Sequence, residues 1–495
     1  MAAFDLGCMA EYNADPGHVK GVCGVRFIYV LTTILLLTAL LVTLVSAQMT
    51  WHLITVWYEG WEQLQELESQ GLQIINYQGN ILAALSEEEQ IWRLRQAGFE
   101  VRVLDAAADP DLYYLAYPPQ GRDDLFSASP SDLEAVYPYA EGVYIVKARR
   151  VAAEALTSHE VQIVKLPRSV SLGRSEPAPA RWQNDLAYSP DIRAMVDVVS
   201  PTLLIDHVCK LQDDDSQSYC NELGTRHSYA TAALDEAARY LHNQYAAMGL
   251  NVAYQPFPYA GYVMNNVVAE LPGAGPNREH IYILCAHYDS TARDSSSIAP
   301  GADDNASGSA AVLEAARILS QFSFDRTIRF VHFAGEEQGM LGSQRYAETA
   351  AQRGDLIAGV INLDMIAYER VPPNDHIVEI HAGMNPVSIA LADVFVSNIA
   401  EYELLLLPEI LTSTATSRSD HGSFWNQGYP AILGIEDFGG DFNPYYHSTR
   451  DTLTHIQTHM MVEYTKACVA TLAELAGDPR SSSVLIYLPV LGVLR

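Results

Sequence analysis

The chain has 495 residues, of which 49% are hydrophobic, which is enough for a sizeable core and for more than one domain. Its 30 Lys+Arg against 60 Asp+Glu give a formal charge of −30. Such a chain repels the phosphate backbone, so we expect no nucleic-acid partner. Six cysteines without a CxxC pair exclude a zinc ribbon and a disulfide-dense scaffold, although Cys209 and Cys220 could close a short loop.

An uncharged, mostly apolar run over residues 27–47 is long enough to span a bilayer. Lys20 and Arg26 precede it, which predicts that the tail of residues 1–26 stays in the cytoplasm. The run ends in Val-Ser-Ala, which is similar to a signal-peptidase site. A cleaved signal peptide and a retained membrane anchor both fit this pattern. In either case we expect the rest of the chain to lie outside the cytoplasm, as a secreted or a membrane-anchored protein.

The pattern of residues 48–170 predicts a small α+β domain. Residues 72–105 and 143–166 each indicate a strand, a polar helix and a second strand, and end in the alternating segments FEVRVL and VQIVKL. Two such units would form a module of the ferredoxin-like kind, with a propeptide-like or an accessory role. Residues 171–190, rich in Pro, Ser and Ala, are the predicted linker to the next domain.

Helical and strand-like segments alternate through the second predicted domain, residues 191–480. The apolar runs HIYILCA, TIRFVHF, LIAGVINL and AILGI have the length of strands. Helical patterns cover residues 233–248, 307–322 and 460–475. This alternation predicts an α/β fold with a mostly parallel central sheet and helices on both faces. Residues 481–495 form an apolar tail that is too short to span a membrane.

Residue types that bind metals follow three of these predicted strands directly. His287 ends the first strand, Glu336-Glu337 follows the second and Asp364 follows the third, while a loop with Asp304 lies between the first two. Because the carboxyl ends of parallel strands meet at one edge of a sheet, we expect these side chains to lie together. Histidine and carboxylate are the mixed set that a catalytic zinc accepts. Spacing alone does not choose a second histidine from the 15 in the chain.

Five motifs in order, HYDS, PGADDNASG, AGEEQGMLGS, NLDM and YYHSTRDT, resemble those of the zinc aminopeptidases of peptidase family M28. The resemblance covers roughly residues 200–475 and does not cover residues 50–170. It implies a zinc aminopeptidase-like fold, peptide substrates cleaved at the N-terminus and two Zn²⁺ per chain. By position, it assigns His287 and Asp364 to one zinc, Glu337 and His447 to the other, and Asp304 to both as the bridge.

The resemblance also implies roles for residues outside the ligand set. Glu336 would be the general base that deprotonates the attacking water. Asp289 would hydrogen-bond the neighbouring ligand imidazole and fix its tautomer. Tyr446 would support the oxyanion, and Arg418 matches an arginine of part of the family that would bind substrate. A cis peptide after the bridging aspartate, here Asp304–Asn305, is a further feature of the family.

Other functions fit the same motifs. A carboxypeptidase or a glutaminyl cyclase would use the same fold, and a cyclase would hold one zinc ion instead of two. A non-catalytic ectodomain is disfavoured because every ligand and the base are present. The sequence does not determine the preferred side chain of the substrate or the oligomeric state.

Several titratable residues have a structural explanation that we favour. Asp303, beside the predicted bridge, and His332, inside a predicted strand, are expected to serve packing. His455 and His459 are spaced i, i+4 on a predicted helix, but they lack the glutamate and third ligand of an HExxH site. We therefore predict that these two histidines form a surface pair.

Overall fold

The computed structural model describes residues 50–118, 122, 133–156, 161–173, 188–212, 224–293, 295–370, 375–477 and 479–481. The predicted tail and apolar segment of residues 1–47 lie outside these ranges, as do most of the predicted linker and C-terminal tail. Within the described ranges, no helix is both long enough and apolar enough to cross a bilayer.

The described chain begins with a four-stranded antiparallel sheet in the order β2-β3-β1-β4. Its elements are β1 (His52–Trp57), α1 (Trp61–Ser69), β2 (Gln73–Gln78), β3 (Ile81–Ser86), α2 (Glu88–Gln96) and β4 (Val101–Asp105). This β–α–β–β–α–β order along the chain, with β1 in the middle of the sheet, is the ferredoxin-like arrangement. Leucines of both helices, such as Leu64 and Leu94, are buried against the sheet.

A second four-stranded antiparallel sheet follows in the order β6-β7-β5-β8. Its elements are β5 (Tyr113–Tyr117), β6 (Ala135–Ala140), β7 (Val143–Lys147), α3 (Arg150–Glu154) and β8 (Gln162–Lys165). The strands have the same spatial order as those of the first sheet. The repeat is therefore longer than the two stretches noticed in the sequence, since β1 and β5 lie outside them and yet occupy interior positions of the two sheets.

The two small sheets share an apolar core with each other and with the larger domain. Leu53 and Leu85 of the first sheet and Tyr113 and Ile145 of the second belong to one buried cluster, and Met340 joins it from the larger domain. The described residues from Trp51 onward accordingly form one compact unit.

The larger domain is built on an eight-stranded mixed sheet in the order β16-β15-β17-β14-β11-β13-β10-β9. Its strands are β9 (Asn251–Tyr259), β10 (Tyr262–Leu271), β11 (His280–His287), β13 (Thr327–Phe333), β14 (Leu356–Leu363), β15 (Ile377–His381), β16 (Leu407–Leu411) and β17 (Ala431–Glu436). Two short strands, β12 (Phe322–Ser323) and β18 (Arg480–Ser481), pair separately. The α/β class is confirmed, and the four predicted strands β11, β13, β14 and β17 form the parallel centre.

Among the described strands of this sheet, parallel pairing occurs only within that centre and between β15 and β16. The other three neighbouring pairs are antiparallel. β9 and β10 form a hairpin at one edge, where one face is exposed to solvent and the residues alternate in burial instead of forming the continuous apolar run of a central strand. The apolar runs therefore predicted the central strands, which are buried on both faces, and missed the outer ones.

Helices cover both faces of this sheet. They are α4 (Pro190–Asp197), α5 (Pro201–Gln212), α6 (Thr231–Ala247), α7 (Gly308–Leu319), α8 (Leu341–Arg353), α9 (Pro386–Glu401), α10 (His421–Trp425) and α11 (Thr458–Ala476). Successive residues of one strand point to opposite faces, and so Leu284 of β11 packs with α7 and α11 while Ile283 packs with α8 and α10. The helices expected at 233–248, 307–322 and 460–475 correspond to α6, α7 and α11.

A close backbone contact joins β8 to the loop after β13. Gly339 in that loop has a φ of +101°, and a Cβ atom there would lie 2.2 Å from the carbonyl oxygen of Ile163 in β8. Only glycine allows the two backbones to approach so closely. The contact fixes the second small sheet beside Glu336 and Glu337.

We predict that Gly339→Ala destabilises the protein more than Gly354→Ala. Both glycines have positive φ, so each alanine carries a backbone cost of about 1–2 kcal/mol, but a Cβ at Gly354 has no heavy atom within 4 Å. The clash at Gly339 should lower the free energy of unfolding by a further 1–3 kcal/mol or so. Denaturant titration of both variants measures the difference, and equal losses would disprove the close contact.

Candidate active site

The adjacent parallel strands β14, β11 and β13 deliver polar side chains to one edge of the large sheet. His287 is the last residue of β11, Asp364 directly follows β14, and Glu336 and Glu337 follow β13 after a two-residue turn. His447 reaches the same edge from the loop after β17, with a left-handed φ of 50°. The structure thus brings together the residues that the motifs selected.

Asp304 enters from the loop between β11 and α7, and this loop has an irregular backbone. Asp304 and Asn305 have non-helical dihedral angles, and the peptide bond between them is cis, as the resemblance implied. The Asp451 carboxylate accepts hydrogen bonds from the amides of Asp303 and Asp304, both at 3.0 Å. The Asn305 amide group donates to the carbonyl of Leu363 at 2.8 Å, which ties the loop to the end of β14.

The side chains form two groups that share the Asp304 carboxylate. On one side, His287 Nε2 lies 3.2 Å from Asp304 Oδ1 and 3.3 Å from Asp364 Oδ1. On the other side, His447 Nε2 lies 3.3 Å from Asp304 Oδ2 and 3.0 Å from Glu337 Oε2. Within each group the candidate ligand atoms all lie within 4.8 Å of one another, so each group could hold one metal ion.

Burial strengthens the electrostatic coupling between these groups. Burial lowers the pKa of His447, but the carboxylates of Glu337 and Asp304 outweigh it and raise that pKa to about 9. Burial raises the pKa of Asp304, yet the two imidazoles hold it below its usual value. Burial and the charge of Asp304 raise the pKa of Glu337 to about 7. These shifts follow from one rule: a buried carboxylate keeps its charge only where positive charge lies beside it.

Glu336 belongs to neither donor group. Burial, reinforced by nearby carboxylates, raises its pKa well above the usual range of a glutamate. Its backbone is held by Asp289, whose carboxylate accepts the amide hydrogens of Glu336 at 3.1 Å and of Glu337 at 3.3 Å. A carboxyl group with a raised pKa at the rim of a metal-type site has the properties of a general acid–base group.

The contact of Asp289 with the imidazole differs from the expected one. His287 Nδ1 lies 3.1 Å from the backbone oxygen of Asp289, whereas the Asp289 carboxylate is 3.6 Å away. The backbone oxygen is therefore the acceptor that orients the ring. The carboxylate instead holds the turn of Glu336 and Glu337, and Ser228 also donates to it at 3.2 Å.

Several supporting residues were not singled out in the sequence. Ser419 donates to Asp364 Oδ2 at 2.6 Å, and Asn443 donates to Asp303 Oδ2 at 2.7 Å. Asp303 thus has the structural role that was expected for it. Asn443 and Asp451 both lie within the segment around His447. Their polar side chains, close in sequence to a predicted ligand, were the signal that could have identified them as supporting residues.

Arg226 is another supporting residue, and no sequence pattern pointed to it. Its side chain is fully buried, and its guanidinium donates to the backbone oxygens of Tyr288, Leu211, Pro300 and Gly301 at 2.5–2.8 Å. Four carbonyl acceptors satisfy the donors of this buried cation. Arg226 therefore clamps the start of the Asp304 loop to the segment after β11.

A small pocket of about 60 Å³ opens onto the donor groups. Tyr446, Arg418 and Phe438 line it together with Gln162, which comes from β8 of the second small sheet. Gln162 accepts from Arg418 Nε at 2.8 Å and its amide nitrogen lies 3.5 Å from Glu336 Oε1. A residue of the N-terminal part of the chain thus forms part of the pocket wall.

The remaining sequence predictions had mixed outcomes. His332 is a core residue that pairs with Tyr245 at 2.6 Å, as expected. Phe438 lines the pocket, whereas Phe424 packs in the core. His459 is exposed at the surface, as expected, but its imidazole binds the buried carboxylate of Glu369, at 2.8 Å, whereas His455 bonds to the backbone oxygen of Arg450.

Comparisons with known proteins agree with this architecture. Leucine aminopeptidase 1 of Trichophyton equinum is 28% identical over 316 residues, which cover 61% of this chain and 81% of the relative. Leucine aminopeptidase 1 of Trichophyton rubrum is 26% identical over 316 residues, with the same coverage of both chains.

Solved structures show the same fold. The LapA aminopeptidase of Legionella pneumophila superposes with a TM-score of 0.56 at 20% identity, covering 74% of this chain and 99% of that one. LapB of Legionella pneumophila superposes with a TM-score of 0.51 at 18% identity, covering 86% and 99%. The family model of peptidase family M28 matches residues 266–472, which contain every residue of both donor groups. Over this segment the chain matches peptidase family M28.

Proposed function

We propose that this chain is an aminopeptidase that removes N-terminal residues from peptides with two metal ions, most simply Zn²⁺, in one site. The observation that carries the proposal is the pair of donor groups that share Asp304. The match to peptidase family M28 and similarity to leucine aminopeptidases support the reaction class. On this proposal His287 and Asp364 bind one ion, and Glu337 and His447 bind the other.

The donor set fits two divalent cations. Three carboxylates and two imidazoles converge in a buried space, and with neutral imidazoles their charge is about −3, which two divalent ions would offset. Among the described residues, Glu337 Oε1 and His447 Nε2 are buried without a partner in hydrogen-bond geometry. Imidazole nitrogens and carboxylate oxygens are ligands that zinc accepts in catalytic sites.

The chemistry divides between the ions and the protein. Metal ions held here would act as Lewis acids that acidify water and polarise the scissile carbonyl. Glu336 would take the proton of the attacking water and pass it to the leaving amine, since it lines the pocket and has a raised pKa. Tyr446 lines the same pocket beside His447 and is the candidate donor to the developing oxyanion.

We predict hydrolysis of substrates with a free α-amino group and no hydrolysis of N-blocked analogues. Chelation should abolish activity, and added Zn²⁺ should restore it. A panel of free and N-blocked aminoacyl substrates, assayed alongside metal analysis, measures both. Cleavage of blocked substrates would disprove the aminopeptidase assignment. One catalytic metal ion per chain together with cyclisation of N-terminal glutamine would favour a glutaminyl cyclase, and release of C-terminal residues would favour a carboxypeptidase.

We predict that Glu336→Gln lowers kcat by about 10²–10⁴-fold while the metal content stays unchanged, because the amide removes the proton acceptor and no ligand. Glu348→Gln is the matched control, since Glu348 is an exposed glutamate on the next helix. Steady-state kinetics and metal analysis of both variants test the assignment. Full activity of Glu336→Gln, or loss of a metal ion from it, would assign a different role to Glu336.

We also propose that the N-terminal module, residues 48–170, shapes the substrate pocket. The propeptide-like and accessory roles both stay open, but Gln162 supports a direct part in recognition. It bonds to Arg418, whose guanidinium lies 5.2 Å from the ring centre of Tyr117 in β5 and 5.9 Å from that of Phe438. Side chains of the second small sheet and of two loops of the larger domain therefore form this part of the pocket wall.

We predict that Gln162→Ala broadens the substrate range towards larger N-terminal side chains. Removing the four heavy atoms beyond Cβ from the wall of a small pocket should raise kcat/KM for bulky relative to small residues by about 10-fold. Gln73→Ala is the control, because Gln73 lies in the first small sheet and bonds to the backbone oxygen of Arg168. An unchanged preference in Gln162→Ala would show that the module does not select substrates.

An extracytoplasmic location is part of the same proposal. The apolar run of residues 27–47 motivates it, and whether the run is cleaved or retained as an anchor stays open. Cys209 is disulfide-bonded, and disulfides persist mainly in oxidising compartments.

A further inference from the structure

A second cluster of metal-binding residue types lies outside the candidate active site. Glu369, His376 and His459, here called the Glu369 cluster, offer one carboxylate oxygen and two imidazole nitrogens within 4.8 Å of one another. Glu369 Oε2 lies 2.9 Å from His376 Nδ1, and Glu369 Oε1 lies 2.8 Å from His459 Nε2. None of the three belongs to the site assigned above.

The cluster joins three separate segments of the larger domain. Glu369 follows β14 and Asp364, His376 directly precedes β15, and His459 is the second residue of α11. The backbone amide of Glu369 donates to the side chain of Gln457 at 3.0 Å, and the amide of His376 donates to Glu369 at 3.1 Å. These bonds hold the carboxylate between the two imidazoles before any ligand binds.

The burial of the cluster is uneven in a way that suits a metal ion. The Glu369 side chain is 2% exposed, whereas those of His376 and His459 are 31% and 45% exposed. A buried carboxylate needs a positive charge beside it, and the exposed side leaves room for water as a fourth ligand.

The geometry requires only a small adjustment. Ligand atoms around a tetrahedral zinc ion, bonded at about 2.0–2.1 Å, are separated by about 3.3 Å. The two imidazoles face different oxygens of Glu369, at 2.8 and 2.9 Å, so an ion held by both takes this carboxylate as a bidentate ligand, and the half-exposed rings would move outward by roughly 0.5 Å. The two ring centroids lie 5.6 Å apart with the planes at 79°, which keeps the rings from stacking on each other.

We propose that the Glu369 cluster binds one additional divalent transition-metal ion, zinc by its ligand set, at the surface of the domain. The ion links α11 and the start of β15 to the segment that follows Asp364. It takes no part in the proposed hydrolysis, and its binding does not depend on that function.

The test is metal stoichiometry in the full chain. Wild type, the double variant His376→Ala/His459→Ala and the control His455→Ala are equilibrated with the same micromolar free Zn²⁺ and analysed for bound zinc. His455 is a suitable control because it is four residues from His459 and bonds instead to the backbone oxygen of Arg450. We expect the double variant to hold one zinc ion fewer than wild type, and His455→Ala to match wild type.

A gentler variant separates loss of the site from misfolding. His459→Gln keeps an N–H donor for Glu369 and removes the imidazole ligand, so it should also lose one zinc ion while retaining peptidase activity. The difference between variants reports on this cluster whatever the active site holds, and activity reports separately on the proposed function. Equal zinc content in wild type, double variant and His459→Gln would show that the cluster is a hydrogen-bonded triad only.

Discussion

One carboxylate, that of Asp304, faces two imidazoles at once, and the rest of the site is arranged around this constraint. Its two oxygens lie 3.2 Å and 3.3 Å from His287 and His447, on opposite sides. A regular helix start would not present the group in this way. The loop instead takes an irregular path, held by the carboxylate of Asp451 and by the buried guanidinium of Arg226. The site therefore depends on residues that touch no candidate ligand atom.

Negative charge concentrated in a buried space explains the remaining architecture. Unpaired buried carboxylates are costly, and the fold provides donors for three that are not candidate ligands: backbone amides for Asp289 and Asp451, and an asparagine for Asp303. The carboxylates of Asp304 and Glu337 are left facing imidazoles across a shared space. A metal centre requires this division between supporting carboxylates, whose hydrogen bonds are made, and ligand carboxylates, which face the space for a cation. The same logic, on a smaller scale and at the surface, underlies the Glu369 cluster.

The N-terminal module contributes directly to the wall of the pocket. Here β8 passes so close to Gly339 that only a glycine fits, and Gln162 reaches between Arg418 and Glu336. The pocket wall is therefore shared between the small sheets and the large domain. The two small sheets have the same strand order, which explains the weak internal repeat. Equivalent strands need similar patterns of buried and exposed residues but not similar sequences.

The amino-acid sequence by itself determined the chemistry and the centre of the fold. Strands buried on both faces must be continuously apolar, so β11, β13, β14 and β17 were recognisable, and the polar residues at their ends marked the site. Motif resemblance added His447, which spacing could not select. Edge strands such as β9 and β16 were not predicted, because a strand that is buried on one face has no continuous apolar run.

Only the tertiary structure decided which distant residues meet. Gln162 lines the pocket from a different sheet, and Arg226 holds the Asp304 loop in place. His459 contacts Glu369 and not His455. Such contacts depend on how separate elements pack, and local sequence patterns carry information about the element alone.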